Sequence, residues 1–151
     1  MFRLYSKGCE YAIRALVHMA PVGENRRFQA REICKKAEIP ESFTRKIFQA
    51  LVAGGFLDAV PGPGGGYAIT RDPKDISLLD VIQAVDGLDT FAGCILGLSE
   101  CNAKAPCPLH HAWARAKDGL MEELESQSLQ DLIDTTKKRA DGNFELELEI
   151  D

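Results

Sequence analysis

Three cysteines and two histidines are gathered in one stretch of the chain, "GCILGLSECNAKAPCPLHHAW" at residues 93–113. Thiolates and imidazoles are the side chains that bind zinc ions and iron–sulfur clusters. His110 follows Cys107 by three positions, which places both on one face of a helical turn. Cys94 and Cys101 precede them in the same stretch. The spacing therefore predicts a metal centre held by Cys94, Cys101, Cys107 and His110.

The spacing of the cysteines also bears on the kind of metal centre. Structural zinc sites usually use ligand pairs two to four residues apart, whereas six residues separate Cys94 from Cys101 and five separate Cys101 from Cys107. This wider spacing favours a loop around an iron–sulfur cluster, with zinc as the alternative. A Cys–His nucleophile would need an orienting Asn or Asp, and none stands at a recognisable spacing. We therefore predict no enzymatic activity.

The composition predicts a cytoplasmic protein. Charges run through the N-terminal "MFRLYSKGCEYAIRAL", and no apolar run approaches the ~18 residues of a membrane span. Thiols are kept reduced in the cytosol, so the five cysteines indicate metal or redox chemistry rather than a disulfide framework. Cys9 and Cys34 lie on the apolar stripes of predicted helices, and we expect them to be buried hydrophobic residues.

Three helices and a hairpin are predicted before the cysteine loop. Apolar residues recur at three- and four-residue steps in three segments, residues 9–20, 30–37 and 43–51. Two short strands are predicted at residues 56–60 and 67–70, separated by the tip "PGPGGG". Three helices followed by a two-stranded hairpin describe a winged helix-turn-helix. The predicted fold class is therefore mainly α with a small β-wing.

The third predicted helix and the hairpin tip have the character of a DNA-reading surface. Hydroxyl, amide and basic side chains of such a helix contact base edges and phosphates, and a glycine tip lets backbone amides approach the duplex. Residues 1–71 hold 11 Lys/Arg against 6 Asp/Glu, while residues 72–151 hold 7 against 17, so the predicted DNA-binding half is the basic half. The predicted DNA-contacting residues are Ser6, Lys7, Arg31, Ser42, Thr44, Arg45, Lys46, Gln49, Gly64, Gly65, Gly66 and Tyr67.

A long helix after the cysteine loop is predicted to join two copies of the chain. Its apolar seam is formed by Leu109, Trp113, Ala116, Leu120 and Leu124. A second copy would bury this seam in a twofold dimer suited to palindromic DNA, and packing against the first helix is the alternative. A last helix is predicted from Ser128, with Asp131 as its capping partner.

These elements divide the chain into four predicted parts. They are a winged helix-turn-helix domain at 1–88, a cysteine-rich cluster loop at 89–109, the dimerisation and terminal helices at 110–140, and a tail at 141–151 to which we assign no function. An iron–sulfur electron carrier that docks a protein partner is the alternative to a DNA-binding protein. Only DNA binding predicts an affinity that falls steeply with salt concentration.

Four stretches of the sequence resemble the Rrf-two family of bacterial winged-helix regulators. They are "RLYSKGCEYAIRAL", "IPESFTRKIFQALVAGGFL", "PGPGGGYAITRDPKDISLLDVIQAVDG" and the Cys94–His110 loop. The resemblance spans roughly residues 1–135. It implies a homodimeric transcription regulator, a repressor in our prediction, that binds a palindromic operator and senses iron, redox state or nitric oxide through an iron–sulfur cluster.

The resemblance also implies a set of cluster ligands. It matches Cys94, Cys101 and Cys107 to the ligands of cluster-bearing members, and His110 to the fourth ligand in some of them. Other members use an acidic residue from the partner's first helix, a position that Glu10 matches. The first two cysteines are one residue further apart than in the family's cluster regulator, so the cluster type is open between [2Fe–2S], which we favour, and [4Fe–4S]. A zinc- or thiol-based regulator of sulfur metabolism is the cluster-free alternative.

Overall fold

The computed structural model describes residues 4–22 and 26–141, and its elements follow the predicted order. The helices are α1 (Lys7–Met19), α2 (Ala30–Lys36), α3 (Glu41–Ala53), α4 (Leu78–Asp86), α5 (His110–Ser126) and α6 (Leu129–Asp141), and the strands are β1 (Leu57–Val60) and β2 (Gly66–Ile69). The two strands form one antiparallel sheet. The fold class is as predicted, mainly helical with a small β-wing. Except for Asp141, the tail at 141–151 lies outside the described residues.

Helix α1 forms the centre of the core. The Ser6 hydroxyl caps its N-terminus by accepting a hydrogen bond of 3.1 Å from the Cys9 amide. One face of the helix then buries small and large apolar side chains in turn, including Ala12, Ala15 and Leu16. These side chains pack with buried residues of α2, α3 and the wing. The periodic apolar stripe in the sequence therefore corresponds to the buried face of this helix.

Helices α2 and α3 form the predicted helix-turn-helix. The turn between them contains Glu38 at a φ of 53°, a left-handed conformation that is uncommon outside glycine. The Ile39 amide donates to the Cys34 carbonyl at 2.9 Å, and Pro40 stands immediately before α3. Ile47 and Phe48 anchor α3 in the core, which leaves its opposite face exposed.

The wing is held against the body by the segment before α2. Strand β1 pairs with β2 from Leu57 opposite Ile69 to Val60 opposite Gly66. Phe28 adds a bridge to the outer side of β2, because its amide and carbonyl both bond to Tyr67 at 2.8 Å. The wing is thus fixed by backbone pairing as well as by its own hairpin.

Two glycines of the wing tip are required by close backbone approach. A Cβ at Gly65 would lie 2.1 Å from the Val60 carbonyl oxygen, and a Cβ at Gly66 would lie 2.4 Å from the Phe28 oxygen. Gly66 also has a φ of +118°. We expect Gly65→Ala to cost about 1–3 kcal/mol of unfolding free energy, because backbone must shift to admit the methyl group.

Thermal unfolding measures this prediction. Gly93→Ala is the matched control, since Gly93 does not have a positive φ and a Cβ there meets nothing within 4 Å. We expect the control to melt close to the wild type. Equal melting temperatures for Gly65→Ala and the wild type would contradict the crowding seen at the wing tip.

The C-terminal half wraps back onto the winged domain. Helix α4 begins with a capping box between Ser77 and Asp80. Helix α6 begins after Ser128, whose hydroxyl accepts from the Asp131 amide at 3.1 Å, which confirms the predicted capping pair. Leu129 is fully buried in the main core. None of the helices within residues 4–22 and 26–141 is long and apolar enough to cross a bilayer.

Helix α5 packs on α4 but buries no residue of its own within the chain. Met121 and Leu124 touch a second, smaller core around Cys9 and Phe91. Leu124, which the sequence assigns to the dimer seam, therefore also contacts its own chain. Within the chain, α5 packs mainly on α4 and not on α1, which was the alternative to a dimer.

Candidate metal centre and nucleic-acid interface

The cysteine loop is anchored at its start. After α4, a short 3₁₀ turn at Leu88–Phe91 leads into the loop, and Phe91 is buried in the second core. On the other side, the Trp113 indole N–H of α5 donates to the Gly93 carbonyl at 3.2 Å. These contacts hold the residues that precede Cys94 in place.

The four predicted ligands meet as two pairs. Cys94 Sγ lies 3.8 Å from Cys107 Sγ, and Cys101 Sγ lies 3.3 Å from His110 Nδ1. The pairs are adjacent because the His110 amide donates to the Cys107 carbonyl at 3.0 Å in the turn before α5. Helix α5 begins at His110, so Cys107 lies in that turn and not inside the helix. All four side chains are half-buried.

These distances fit ligands that share a metal in pairs. Two sulfurs bound at about 2.3 Å to one tetrahedral metal are about 3.8 Å apart, which matches Cys94 and Cys107. In the described part of the chain, however, no three His, Cys, Asp or Glu side chains are grouped so that they could hold one ion. The four side chains thus lie as two pairs and not around one point.

Hydrogen bonds from the loop backbone favour the thiolate form of Cys94. Backbone N–H groups of Leu96 and then Leu98 donate to its sulfur and lower the pKa of the Cys94 thiol below its ordinary value, with a smaller contribution from Cys107. The loop turns tightly here because Gly97 has a φ of +78° and its amide donates to the Cys94 carbonyl at 3.0 Å. Thiolate is the form that binds metal.

Cys9 is the opposite case. It is fully buried in the second core, and burial, followed by the charge of Asp86, raises the pKa of the Cys9 thiol to about 12. In metal-free native protein we therefore expect iodoacetamide at mildly alkaline pH to label Cys94 first and Cys9 last. Peptide mass spectrometry against time gives the order. Labelling of Cys9 as fast as Cys94 would contradict the burial and pKa difference.

Glu10, the alternative fourth ligand, is engaged on its own helix. Its carboxylate accepts from Lys7 at 3.2 Å and from Arg14 at 2.8 Å. Its role as a ligand to a partner's cluster stays a prediction. His111 is exposed, and its ring stands edge-on to that of His110 at 5.2 Å between centroids.

Most of the predicted DNA-reading face of α3 is exposed. Its exposed side chains are Ser42, Arg45, Lys46 and Gln49, and Arg31 is exposed at the start of α2. Thr44 is half-buried instead, and its Oγ1 lies 3.1 Å from Cys34 Sγ at the contact between α2 and α3. The exposed set combines positive charge with side chains able to donate to base edges.

Several other residues of the predicted DNA-contacting set have structural partners. The Ser6 amide donates to Asp86 Oδ2 at 2.7 Å, and its hydroxyl also bonds to that carboxylate. Lys7 pairs with Glu10. The Tyr67 ring packs 4.5 Å from that of Phe48, and Gly65 is buried, whereas Gly64 is exposed. Their DNA contacts stay predictions.

Sequence reasoning missed two residues that join the wing to the body. Arg27 Nη1 donates to the Gly66 carbonyl at 3.3 Å and Nη2 to Asp58 at 2.7 Å. Gln29 Nε2 donates to the Gly65 carbonyl at 3.1 Å. The run "RRFQAR" at residues 26–31 was the available signal, since it is a basic cluster next to the helix-turn-helix.

A winged helix-turn-helix with an exposed basic face on its second helix defines a DNA-binding regulator. The model of the Rrf2 family, described as "Iron-dependent Transcriptional regulator", matches residues 5–135, and the chain belongs to this family. It is a transcription regulator and not an enzyme.

Relatives agree with the family assignment, and solved structures share the fold. The chain is 31% identical over 131 residues to the HTH-type transcriptional regulator IscR of Photorhabdus laumondii, covering 87% of this chain and 79% of the relative. It is 28% identical over 137 residues to a putative HTH-type transcriptional regulator of Aquifex aeolicus, covering 89% and 94%. The fold is similar to that of CymR, the global cysteine regulator of B. subtilis, with a TM-score of 0.72 at 19% identity over 89% of this chain and 98% of that one. T. potens IscR is similar with a TM-score of 0.66 at 21% identity, covering 87% and 86%.

Proposed function

We propose that this chain is a homodimeric regulator whose affinity for a palindromic operator is set by a [2Fe–2S] cluster held by Cys94, Cys101, Cys107 and His110. The observation that carries the proposal is the division of these ligands into two adjacent pairs. The family description, "Iron-dependent Transcriptional regulator", supports an iron-related role for this chain.

The paired ligands favour a binuclear centre. In a [2Fe–2S] cluster the four protein ligands divide into two per iron, as the mixed Cys and His ligation of Rieske centres illustrates. A [4Fe–4S] cluster distributes its four ligands over four irons, so it does not bring two sulfurs to the separation set by one metal. A structural zinc ion needs all four ligands around one point. The separation of 3.8 Å between Cys94 and Cys107 thus supports two irons.

A bound cluster would supply one-electron chemistry at a potential that depends on hydrogen bonds to its sulfurs. The chain's own residues connect this loop to the DNA-binding head. The loop starts a few residues after Asp86, whose carboxylate holds both the amide and the hydroxyl of Ser6. Ser6 in turn caps α1, the central helix of the head. A change in the order of the loop would therefore reach α1 through the hydrogen bonds between Asp86 and Ser6.

The dimer is proposed to form through α5. Within the chain the seam is only partly covered: Leu124 contacts the second core, Leu120 is half-buried, and Leu109, just before this 17-residue helix, is 42% exposed. We expect Leu120→Asp to convert a dimer into a monomer in sedimentation experiments and to weaken operator binding, because one head alone loses the second half-site. Arg115→Asp on the far side of α5 is the control. An unchanged dimer in Leu120→Asp would place the interface elsewhere.

The experiment that tests the cluster is purification without oxygen, followed by visible absorption and by iron, sulfide and zinc analysis. We expect a coloured protein with about two irons and two sulfides per chain. One zinc per chain without colour, persisting after reconstitution with iron and sulfide, would replace the cluster with a zinc site. DNA binding itself follows from the family and is not at stake in this measurement.

A further inference from the structure

The exposed part of the wing tip, residues 61–64, has almost no packing of its own to fix its direction. Residues 61–64 are all exposed, and a Cβ added at Gly62 or Gly64 would meet nothing within 4 Å. Besides a turn hydrogen bond of 3.0 Å from the Gly65 amide to the Gly62 carbonyl, the tip is held by hydrogen bonds from the segment before α2. Arg27 and Gln29 donate to the carbonyls of Gly66 and Gly65, the two residues that follow the exposed tip.

The backbone bridge between Phe28 and Tyr67 places these two donors next to the end of β2 that adjoins the tip. Residues 27 and 29 flank Phe28, whose amide and carbonyl both bond to Tyr67. Side chains of alternate residues in such an extended segment point to the same side, so Arg27 and Gln29 reach the tip together. Arg27 and Gln29 therefore hold two consecutive carbonyls, those of Gly66 and Gly65, and we call this pair of side chains the clamp.

Arg27 has a second partner that a purely mechanical clamp would not need. Its Nη2 lies 2.7 Å from Asp58 Oδ2 on β1, and the Asp58 side chain is 51% exposed. Asp58 is the only acidic residue between α3 and Arg71. An exposed ion pair adds little to folding stability. A carboxylate on the wing would, however, repel phosphates unless a cation cancels it.

We propose that Arg27 and Gln29 are positioning residues for DNA recognition. They fix the angle of the wing relative to α3, so that the tip and the recognition helix contact one operator together, and Arg27 also neutralises Asp58. This inference rests on the proposed contact between the wing and DNA. It does not depend on the cluster, because none of the residues involved lies in the cysteine loop.

The test uses a duplex that the full-length protein itself selects from a random-sequence pool. Fluorescence anisotropy compares Arg27→Ala, Arg27→Lys, Asp58→Asn and the double variant Arg27→Ala/Asp58→Asn. We expect Arg27→Ala to bind about tenfold more weakly and Asp58→Asn to bind like the wild type. The double variant should recover only part of the loss, because it restores charge but not geometry. Arg27→Lys should likewise recover only part, since one ammonium does not reproduce the forked contact.

Footprinting separates positioning from general stability. We expect Arg27→Ala and Gln29→Ala to lose backbone protection at the wing positions while keeping major-groove protection under α3 and a wild-type melting temperature. Wild-type affinity and protection in both variants would overturn the proposal. So would an equal loss of both protections together with a lowered melting temperature, because that pattern describes a folding defect.

A variant of the exposed tip distinguishes failure of the clamp from failure of the wing contact. Pro63→Glu places a carboxylate at the tip without touching the clamp. If Pro63→Glu weakens binding and Arg27→Ala does not, the wing contacts DNA but Arg27 does not position it. If neither variant weakens binding, the wing does not contact DNA and both ideas fall.

Discussion

Replacing Cys101 with Ala should leave a colourless protein that no longer retains iron and sulfide. In the proposed centre Cys101 would supply the sulfur donor of the pair that it forms with His110, so its loss would leave an imidazole as the only donor on that side. The DNA affinity should change by at least about fivefold, the lower end of ordinary coupling between two sites. The dimer should persist, because the seam of α5 is untouched. Absorption, metal analysis, anisotropy and sedimentation on the same preparation check each part.

Three further variants make this prediction more specific. Cys34→Ala is the spectral control, since Cys34 contacts Thr44 between α2 and α3 and lies outside the loop. It should retain full colour. Comparing His110→Ala with Glu10→Ala identifies the fourth ligand, because only the variant of the true ligand changes the spectrum. A colourless Cys101→Ala protein with unaltered DNA affinity would refute the switch while keeping the cluster.

The helical part of the fold was predictable because its signals are local. The apolar steps of α1, the Ser128–Asp131 cap and the glycine-rich hairpin tip each lie within a few residues. Local hydrogen bonds and burial on one face are enough to specify such elements. Their order then gave the winged helix-turn-helix and the exposed face of α3.

Contacts between distant segments were not predictable in the same way. Ser6 is bound by Asp86, eighty positions away, and Tyr67 packs on Phe48 from another element. A serine or tyrosine in a basic domain has the same appearance whether it faces DNA or a neighbouring helix. The structural partners of these two residues depend on tertiary packing, which the sequence pattern does not encode.

The candidate metal centre shows the same limit. The sequence predicts four candidate ligands because Cys and His are clustered in one loop, but it does not predict which of them lie together. The pairing of Cys94 with Cys107 and of Cys101 with His110 arises from the path of a long loop. The glycines of the wing behave similarly: their abundance predicts a turn, whereas the contact of Gly66 with Phe28 explains why one of them must be glycine.

Replacing Arg45 with Ala should weaken operator binding by about 1–3 kcal/mol for each half-site contact, if its guanidinium reads a base edge. Arg45 is exposed near the start of α3, where a recognition helix meets the major groove.

Lys46 is the exposed neighbour of Arg45. If Lys46 contacts a phosphate and not a base, its loss should change the salt dependence of binding and not the sequence preference. Lys46→Ala should weaken all sequences alike and reduce the slope of affinity against salt by about one per contact. Lys138→Ala on α6 is the charge-matched control.

A twofold dimer makes the Arg45 prediction more demanding. Each substitution is present in both heads, so the loss on a palindrome should be about twice the loss per contact. On a duplex with one half-site scrambled, the wild type already lacks one specific contact, and the Arg45→Ala penalty should fall to about half. Equal penalties on both duplexes would mean that only one head reads DNA, and no penalty on either would remove Arg45 from the recognition surface. Because Arg45 is exposed, an unchanged melting temperature should accompany the loss and separate recognition from folding.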